Sequence, residues 1–527
     1  MAGGQSEGSP EHTVGDRRLV RWIEHHGSGA HFHRGLERVD PADLRTHGGT
    51  RHRRFCTDAA HDLTGGSRLT LRSNGVTLDI VFHPFHRHTD EVAAVLTDDC
   101  RDTPLWLDDV PPLVLPDVAL PGVADATVVG SGYTGLNTAL ELARGGRQVL
   151  VLEAGEPGQG CSTRNGGQIS TSVKPSLARL ARRHGLERAR AIHAEGAASL
   201  DWIETLVRRE AIDCDFVRCG RFHAAHTPGH YERLAREAKR STDETSGEVR
   251  VVPRTEQHRE LGSDVYHGGV VYPHHASLHP ARYHRALLAR VEEAGATLVP
   301  RCTATSIARD GEGFRIGTSL GTVRTGDVVV ATNGYTAGLT PWLQRRVVPI
   351  GSYVIATEPL PEALVDELFP THRIVSDTCK VIYYYRPSPD RRRVVFGGRV
   401  SAGETDPRVS APRLHEQMCR VFPGLADTRV SHSWFGTVAY SFDELAHTGT
   451  HEGVHYAMGY CGSGVAMASY LGMRLGQRLL GLAEGRTAFD GLPFPTRPLY
   501  TGTPWFLPSA VAWYRWRDRV ETRRAAA

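Results

Sequence analysis

Lysine is nearly missing from this chain: among 62 basic residues in a length of 527, only Lys174, Lys239 and Lys380 are lysine, and the rest are arginine. An excess of either charge is missing too, because 59 acidic residues leave a formal net charge of +3. Proteins that live on nucleic-acid phosphates or on an anionic membrane surface carry a marked basic excess, so neither partner is expected and a small-molecule substrate is the default. Nine cysteines are scattered with no CxxC pair. That pattern argues against a structural zinc or a disulfide framework and for a reducing compartment. No uninterrupted stretch approaches the ~20 apolar residues of a membrane-spanning helix. The segment after Arg17-Arg18, Trp22-Ile23-Glu24-His25-His26, is too polar for the core of an export signal. A cytoplasmic protein is expected. What the chain does have is length and core: with 40% hydrophobic residues it can bury one large enzyme body or two to three domains.

Residues 1–100 are rich in His, Arg and Gly and are expected to form a poorly ordered extension with one short strand pair, 69–71 and 76–81. Its His31, His33, His83, His86 and His88 have no acidic or Cys partner at ligand spacing, so no metal is expected. Prolines at 104, 111, 112, 116 and 121 make 101–124 an extended, non-helical lead-in, with Trp106 as an anchor. The body is expected over 125–484, followed by a tail, 485–527, packed on it.

The body opens with a strand–helix–strand pattern. Residues 125–129 are a buried strand, Leu136, Ala139, Leu140 and Ala143 repeat at helical spacing, and 148–152 are a second strand. Between the first strand and the helix stands Gly130-Ser131-Gly132-Tyr133-Thr134-Gly135, a GxGxxG turn. Its first glycine permits the tight turn, the second lets a pyrophosphate approach the backbone, and the third lets helix and strand close up. Glu153, followed by Ala154, ends the second strand where a carboxylate can accept hydrogen bonds from an adenosine ribose. This setting predicts dinucleotide binding.

Three further loops point from a nicotinamide towards a flavin. Ser162, Arg164, Asn165, Gly166, Gly167 and Gln168 lie on a loop that carries a cation and hydroxyls. Thr332, Asn333 and Gly334 end a buried strand, and Gly462, Ser463, Gly464 and Val465 open another helix. A helix N-terminus favours a nearby negative charge. A reduced flavin develops such charge at one end of its ring; a nicotinamide does not.

At these residues the chain resembles the D-amino-acid-oxidase-like FAD-dependent oxidoreductases, and within them the gamma-glutamylputrescine oxidase-like branch. The stretches that carry the resemblance are 164–168, 331–336, Phe396-Gly397-Gly398-Arg399, 459–465 and the tail Leu492-Pro493-Phe494-Pro495. The resemblance implies an α/β fold with α+β elements: a Rossmann-type FAD-binding domain with a discontinuous antiparallel-sheet substrate domain. The FAD part is expected at about 125–180, 265–345 and 430–484, and the substrate part at about 181–264 and 346–429. FAD is the cofactor implied, held noncovalently. The chemistry implied is oxidation of a C–N bond in a small amine or amino-acid conjugate to an imine, with oxygen taking the electrons to give peroxide.

In Tyr383-Tyr384-Tyr385-Arg386, strand alternation sends Tyr384 and Arg386 to one face, where the guanidinium could hold a substrate carboxylate. An edge-strand arginine beside core tyrosines fits the same pattern. His447 reads either as a general base or as a hydrogen-bonded structural histidine, in a stretch where Ala446 replaces the family's proline. Two other functions stay open: a dehydrogenase of the same fold with a non-oxygen acceptor, and a flavin-binding protein without turnover.

Overall fold

The computed structural model describes residues 57–58, 67–73, 76–82, 94–111, 113, 115–171, 173–241, 249–399 and 405–526. Residues 1–89 and 90–527 form two compact units. The described part of the first is a three-stranded antiparallel sheet of Thr57–Asp58, Ser67–Ser73 and Val76–Phe82. Leu69 pairs with Ile80 and Leu71 with Leu78, so the expected strand pair forms. The five histidines weighed above as metal ligands lie outside the described residues.

The second unit is built on two sheets. The first has eight strands and a parallel centre, in which Val123–Val129 is flanked by Val149–Leu152 on one side and Gly321–Val330 on the other. Thr297–Val299 and Val454–Met458 extend this parallel set at its two ends. All four residues of Val149–Leu152 are buried, as a parallel strand covered on both faces should be. The helix Tyr133–Arg144 crosses from the first strand to the second, and the helices Pro280–Glu293 and Gly464–Leu479 pack beside it. Leu136, Leu140, Tyr283, Leu287, Leu471 and Leu475 meet there in one apolar core.

The second sheet has nine mostly antiparallel strands and its own core, centred on Phe222, Tyr353, Phe369, Tyr385 and Phe396. Its strand order runs Leu96–Arg101, Val430–Ser441, Val347–Thr357, Val394–Gly398, Tyr383–Pro387, Ile374–Asp377, Arg221–Ala224, Gly269–Tyr272 and Arg250–Val252. This is the α/β plus antiparallel architecture expected from the sequence, with differences at its boundaries. Strands 269–272 and 430–441, read as part of the FAD half, pair in this second sheet, because pairing partners are set by residues far away in sequence. Strand 96–101 joins it as well, parallel to 430–441, so the described body begins before residue 101.

The lead-in is not wholly extended. Trp106–Asp109 is a short helix, since its prolines at 104 and 111 flank the turn instead of interrupting it. Trp106 is its anchor, 1% exposed, and its indole donates to the carbonyl of Asn165 at 2.8 Å. The tail ends in a helix, Leu507–Ala526, that no motif announced. Asp518 holds this helix to the second sheet by accepting from the backbone N–H groups of Lys380 and Val381. No helix among the described residues is long and apolar enough to cross a membrane.

Candidate active site

The glycine turn sits at the carboxyl ends of the parallel strands, where open α/β sheets place their ligands. Gly130 has φ +104°, a conformation that side chains rarely adopt. A Cβ on Gly135 would run into the carbonyl oxygen of Gly130, so the third glycine is what lets helix and strand close. A Cβ on Gly132 would lie 3.1 Å from Ser162 Oγ and would fill the narrow space between turn and loop. Glu153 is fixed in place: its Oε2 accepts from Ser131 N at 3.0 Å and Ser131 Oγ at 2.6 Å, and its Oε1 from Gly155 N at 3.2 Å. Each carboxylate oxygen has two lone pairs, so capacity remains for sugar hydroxyls.

The 160–168 loop is held from both sides. Ser162 Oγ accepts from Tyr133 N at 3.1 Å on the turn side. On the sheet side the indoles of Trp106 and Trp434 donate to the carbonyls of Asn165 and Arg164 at 2.8 and 3.0 Å. Asn333, itself at φ +42°, accepts from Gly459 N at 3.0 Å and so ties the 331–335 turn to the start of the 464–479 helix. There Gly459, Cys461 and Gly462 all have positive φ, which turns the chain sharply into the helix. Cys461 Sγ lies 3.1 Å from the carbonyl of Gly459, and burial pushes its thiol pKa up, so it is a poor thiolate for covalent attachment.

These loops and the underside of the nine-stranded sheet enclose a cavity of about 1260 Å³. That exceeds the ~300–1,000 Å³ of ordinary ligand sites and leaves room for a dinucleotide together with a second molecule. Of the residues expected from the sequence to touch cofactor or substrate, all but Gly135, Gly167, Gly334, Arg386 and His447 line it. The three glycines are packing positions: a Cβ would strike Gly130 O, Leu278 O and Thr437 O respectively. FAD fits the donor set: a glycine turn at a helix N-terminus, a fixed carboxylate at the strand end, and a second helix N-terminus across the cavity.

Arg386 is a correction. It shares a sheet face with Tyr384, but it lies past the cavity edge and is buried, donating from Nη1 to Gly167 O and Leu278 O at 3.0 Å each. It joins the second sheet to the 160–168 loop. His447 takes the structural one of its two readings. It is 1% exposed, its Nε2 lies 2.9 Å from Asp443 Oδ1, and its ring stacks on Phe494 with centroids 4.0 Å apart. Neither geometry leaves it facing a reacting atom. Tyr384 does line the cavity, with its hydroxyl 2.9 Å from Ser352 Oγ, and burial pushes its phenol up to about 12, so it acts as a neutral group.

The side chains that sequence reasoning missed lie on the strand Arg221–Ala224. Phe222 and Ala224 enter the core, while Arg221 and His223 face the cavity. Burial lowers Arg221 to about 10, so it stays a cation at neutral pH. Its Nη2 reaches Gln168 Oε1 at 3.5 Å and its Nε has no hydrogen-bond partner among the described residues. Burial, then the neighbouring Arg221, hold His223 down at about 4, and its Nδ1 lies 2.9 Å from Ser376 Oγ. The signal was available: two polar residues at alternate positions of a strand whose other positions are apolar. Lys174 and Lys380, two of the chain's three lysines, line the same cavity.

Comparisons with known proteins agree with this geometry. A family model described as FAD dependent oxidoreductase matches residues 125–478. The chain is 30% identical to a probable oxidoreductase OrdL of Rhizobium meliloti over 405 residues, 75% of this chain and 92% of that protein. It is also 30% identical to the gamma-glutamylputrescine oxidoreductase of Escherichia coli over 406 residues, 75% of this chain and 93% of that protein. Among solved structures, glycine oxidase from Geobacillus kaustophilus superposes with a TM-score of 0.59 at 21% identity, covering 72% of this chain and 99% of that one.

Proposed function

Because the chain belongs to the FAD dependent oxidoreductase family, we propose that it oxidises the C–N bond of a small, carboxylate-bearing amine or amino-acid conjugate, of the gamma-glutamylputrescine kind, to an imine, with oxygen as the electron acceptor. FAD, when bound, supplies the redox chemistry by accepting a hydride equivalent from the carbon next to a neutral amine. The chain's own residues supply position and electrostatics. The 130–135 turn and Glu153 would hold the dinucleotide end, the 162–168 loop its middle, and the start of the 464–479 helix the ring end that gains negative charge.

The observation that carries the reading is that a single cavity joins the glycine turn to a half-buried cation, Arg221, which has no carboxylate partner among the described residues. A guanidinium with an unused N–H in a buried pocket is built to take an acidic group of a ligand. Gln168, the last residue of the 162–168 loop, lies 3.5 Å from Arg221 Nη2 on the cavity wall and would set that group beside the loop. Next to it the neutral imidazole of His223 adds no repulsion to an incoming amine. Tyr384 closes the side of the cavity and offers a neutral hydroxyl for orientation. Similarity to a gamma-glutamylputrescine oxidoreductase and to a glycine oxidase supports the amine and amino-acid class.

The test is turnover of the FAD-loaded protein on a panel of mono-, di- and gamma-glutamylated amines and small amino acids, with oxygen uptake and peroxide followed together. Peroxide formed in step with imine hydrolysis products is expected. Turnover only with an artificial dye under anaerobic conditions would replace oxygen by another acceptor, and no turnover on any amine would remove the proposal.

A further inference from the structure

A second cluster lies away from the cavity just described, where the C-terminal helix meets the nine-stranded sheet. His226 follows the strand 221–224, His230 stands in the first turn of the helix Pro228–Ser241, and Glu521 comes from the helix Leu507–Ala526. One ligand-type atom from each of the three lies within 4.8 Å of the other two. His230 Nε2 is 3.3 Å and His226 Nε2 4.0 Å from Glu521 Oε2. Both histidines are more than nine-tenths buried as residues, at 9% and 8% exposure.

The hydrogen bonding of this cluster is incomplete in a particular way. His226 Nε2, His230 Nδ1 and Glu521 Oε2 are all shut off from solvent and make no well-aligned hydrogen bond among the described residues, the nearest approach being the 3.3 Å between His230 Nε2 and Glu521 Oε2. Ordinary packing does not leave a buried imidazole nitrogen and a buried carboxylate oxygen facing each other unsatisfied. One cation between them satisfies both. His226 Nδ1 lies 2.8 Å from Thr378 Oγ1. With Nδ1–H donating there, the lone pair of Nε2 points at the cluster, which is how a supporting hydrogen bond fixes a metal-ligating imidazole. The spacing of the two histidines is also locally fixed: Thr227 between them caps the helix, its Oγ1 accepting from His230 N at 3.2 Å.

We propose that His226, His230 and Glu521 form a binding site for one divalent transition-metal ion, zinc by its donor set, which pins the C-terminal helix to the substrate sheet. Two imidazole nitrogens and one carboxylate oxygen are a zinc set that leaves a fourth, tetrahedral position to water. No bond is made or broken in protein or substrate, and no electron moves. The clamp bears on the cavity, because Val511, Tyr514 and Arg517 of the same helix line it.

The test uses the full-length, FAD-loaded protein after treatment with a chelator, titrated with zinc chloride against a chromophoric competitor. A His226→Ala/His230→Ala variant and a Glu521→Gln variant are titrated alongside. All three proteins share the histidine-rich first hundred residues, so zinc bound there cancels in the comparison. The unchanged protein is expected to take up one equivalent more than the double variant. Glu521→Gln, a change on one face of a terminal helix, is expected to hold that equivalent at least ~10-fold more weakly. Cobalt in place of zinc should give the visible absorption of a tetrahedral site in the unchanged protein and not in the double variant. Equal zinc uptake and equal cobalt spectra in all three proteins would overturn the site.

Discussion

Arg386 Nη1 donates to the carbonyl oxygen of Gly167 at 3.0 Å, and through that bond the nine-stranded sheet grips the 160–168 loop. The same nitrogen reaches Leu278 O at 3.0 Å, so one buried guanidinium satisfies two backbone acceptors from different parts of the chain. Hydrogen bonds to a charged group are worth ~1.5–3 kcal/mol each. Arg386→Met is therefore expected to lower unfolding stability by about 3 kcal/mol and to weaken FAD retention. The fraction that stays loaded should show a KM within ~3-fold of the unchanged enzyme, since no substrate contact is lost. Denaturant melts and flavin content after gel filtration check it.

Arg221 should behave in the opposite way. Arg221→Met is expected to raise KM for carboxylate-bearing amines by ~10- to 100-fold, the loss of one charge-assisted bond, while leaving KM for amines without an acidic group nearly unchanged. Steady-state kinetics on matched substrate pairs, with and without the carboxylate, decide it. Equal effects on both members of a pair would remove Arg221 from substrate recognition.

The two ends of the glycine turn separate cofactor binding from folding. Gly132→Val places two methyl groups in the space between Ser162 and the turn and is expected to give a folded protein without FAD. Gly135→Ala drives a methyl group into the Gly130 carbonyl, inside the core, and is expected to cost stability before it costs binding. Circular dichroism, thermal melts and flavin content, measured together, distinguish the two outcomes.

The turn, Glu153 and the loops at 162–168, 332–334 and 462–465 were legible in the sequence because each is local. A βα turn is written in consecutive glycines, and the carboxylate follows at the end of the next strand. The surroundings of Arg386 and His447 were not legible because alternation gives the face of a side chain but not how far along that face the cavity extends. Gly167 and Leu278, which take up Arg386, and Phe494, which covers His447, come from distant segments that only the fold brings near. The same limit hid the assignment of strands 269–272 and 430–441, since either sheet suits their composition. Arg221 and His223 did leave a local trace, alternating with Phe222 and Ala224, in a strand too short to stand out.

Asp377 gives the fold a pH dependence. Its side chain is 2% exposed and accepts from the N–H groups of Cys379 and Tyr383, and burial raises it from 3.8 to about 7. Between these values the folded protein keeps a proton that the unfolded chain has already lost. Stability from this group therefore falls as pH rises through that window, by up to ~1.4 kcal/mol per pH unit, and is level above it. Asp377→Asn keeps the acceptor oxygen and removes the titration. The variant should match the unchanged protein near pH 4 and exceed it at pH 8, as read by urea unfolding at the two pH values. A constant difference between the two proteins across that range would contradict the assignment.

The most direct measurement is the visible spectrum of the purified, FAD-loaded protein under anaerobic conditions, before and after addition of a gamma-glutamylated diamine. The account predicts a yellow protein whose flavin absorption bleaches on mixing and returns when air is admitted. A loaded protein whose spectrum stays unchanged with this compound and with every other amine and amino acid offered would contradict it.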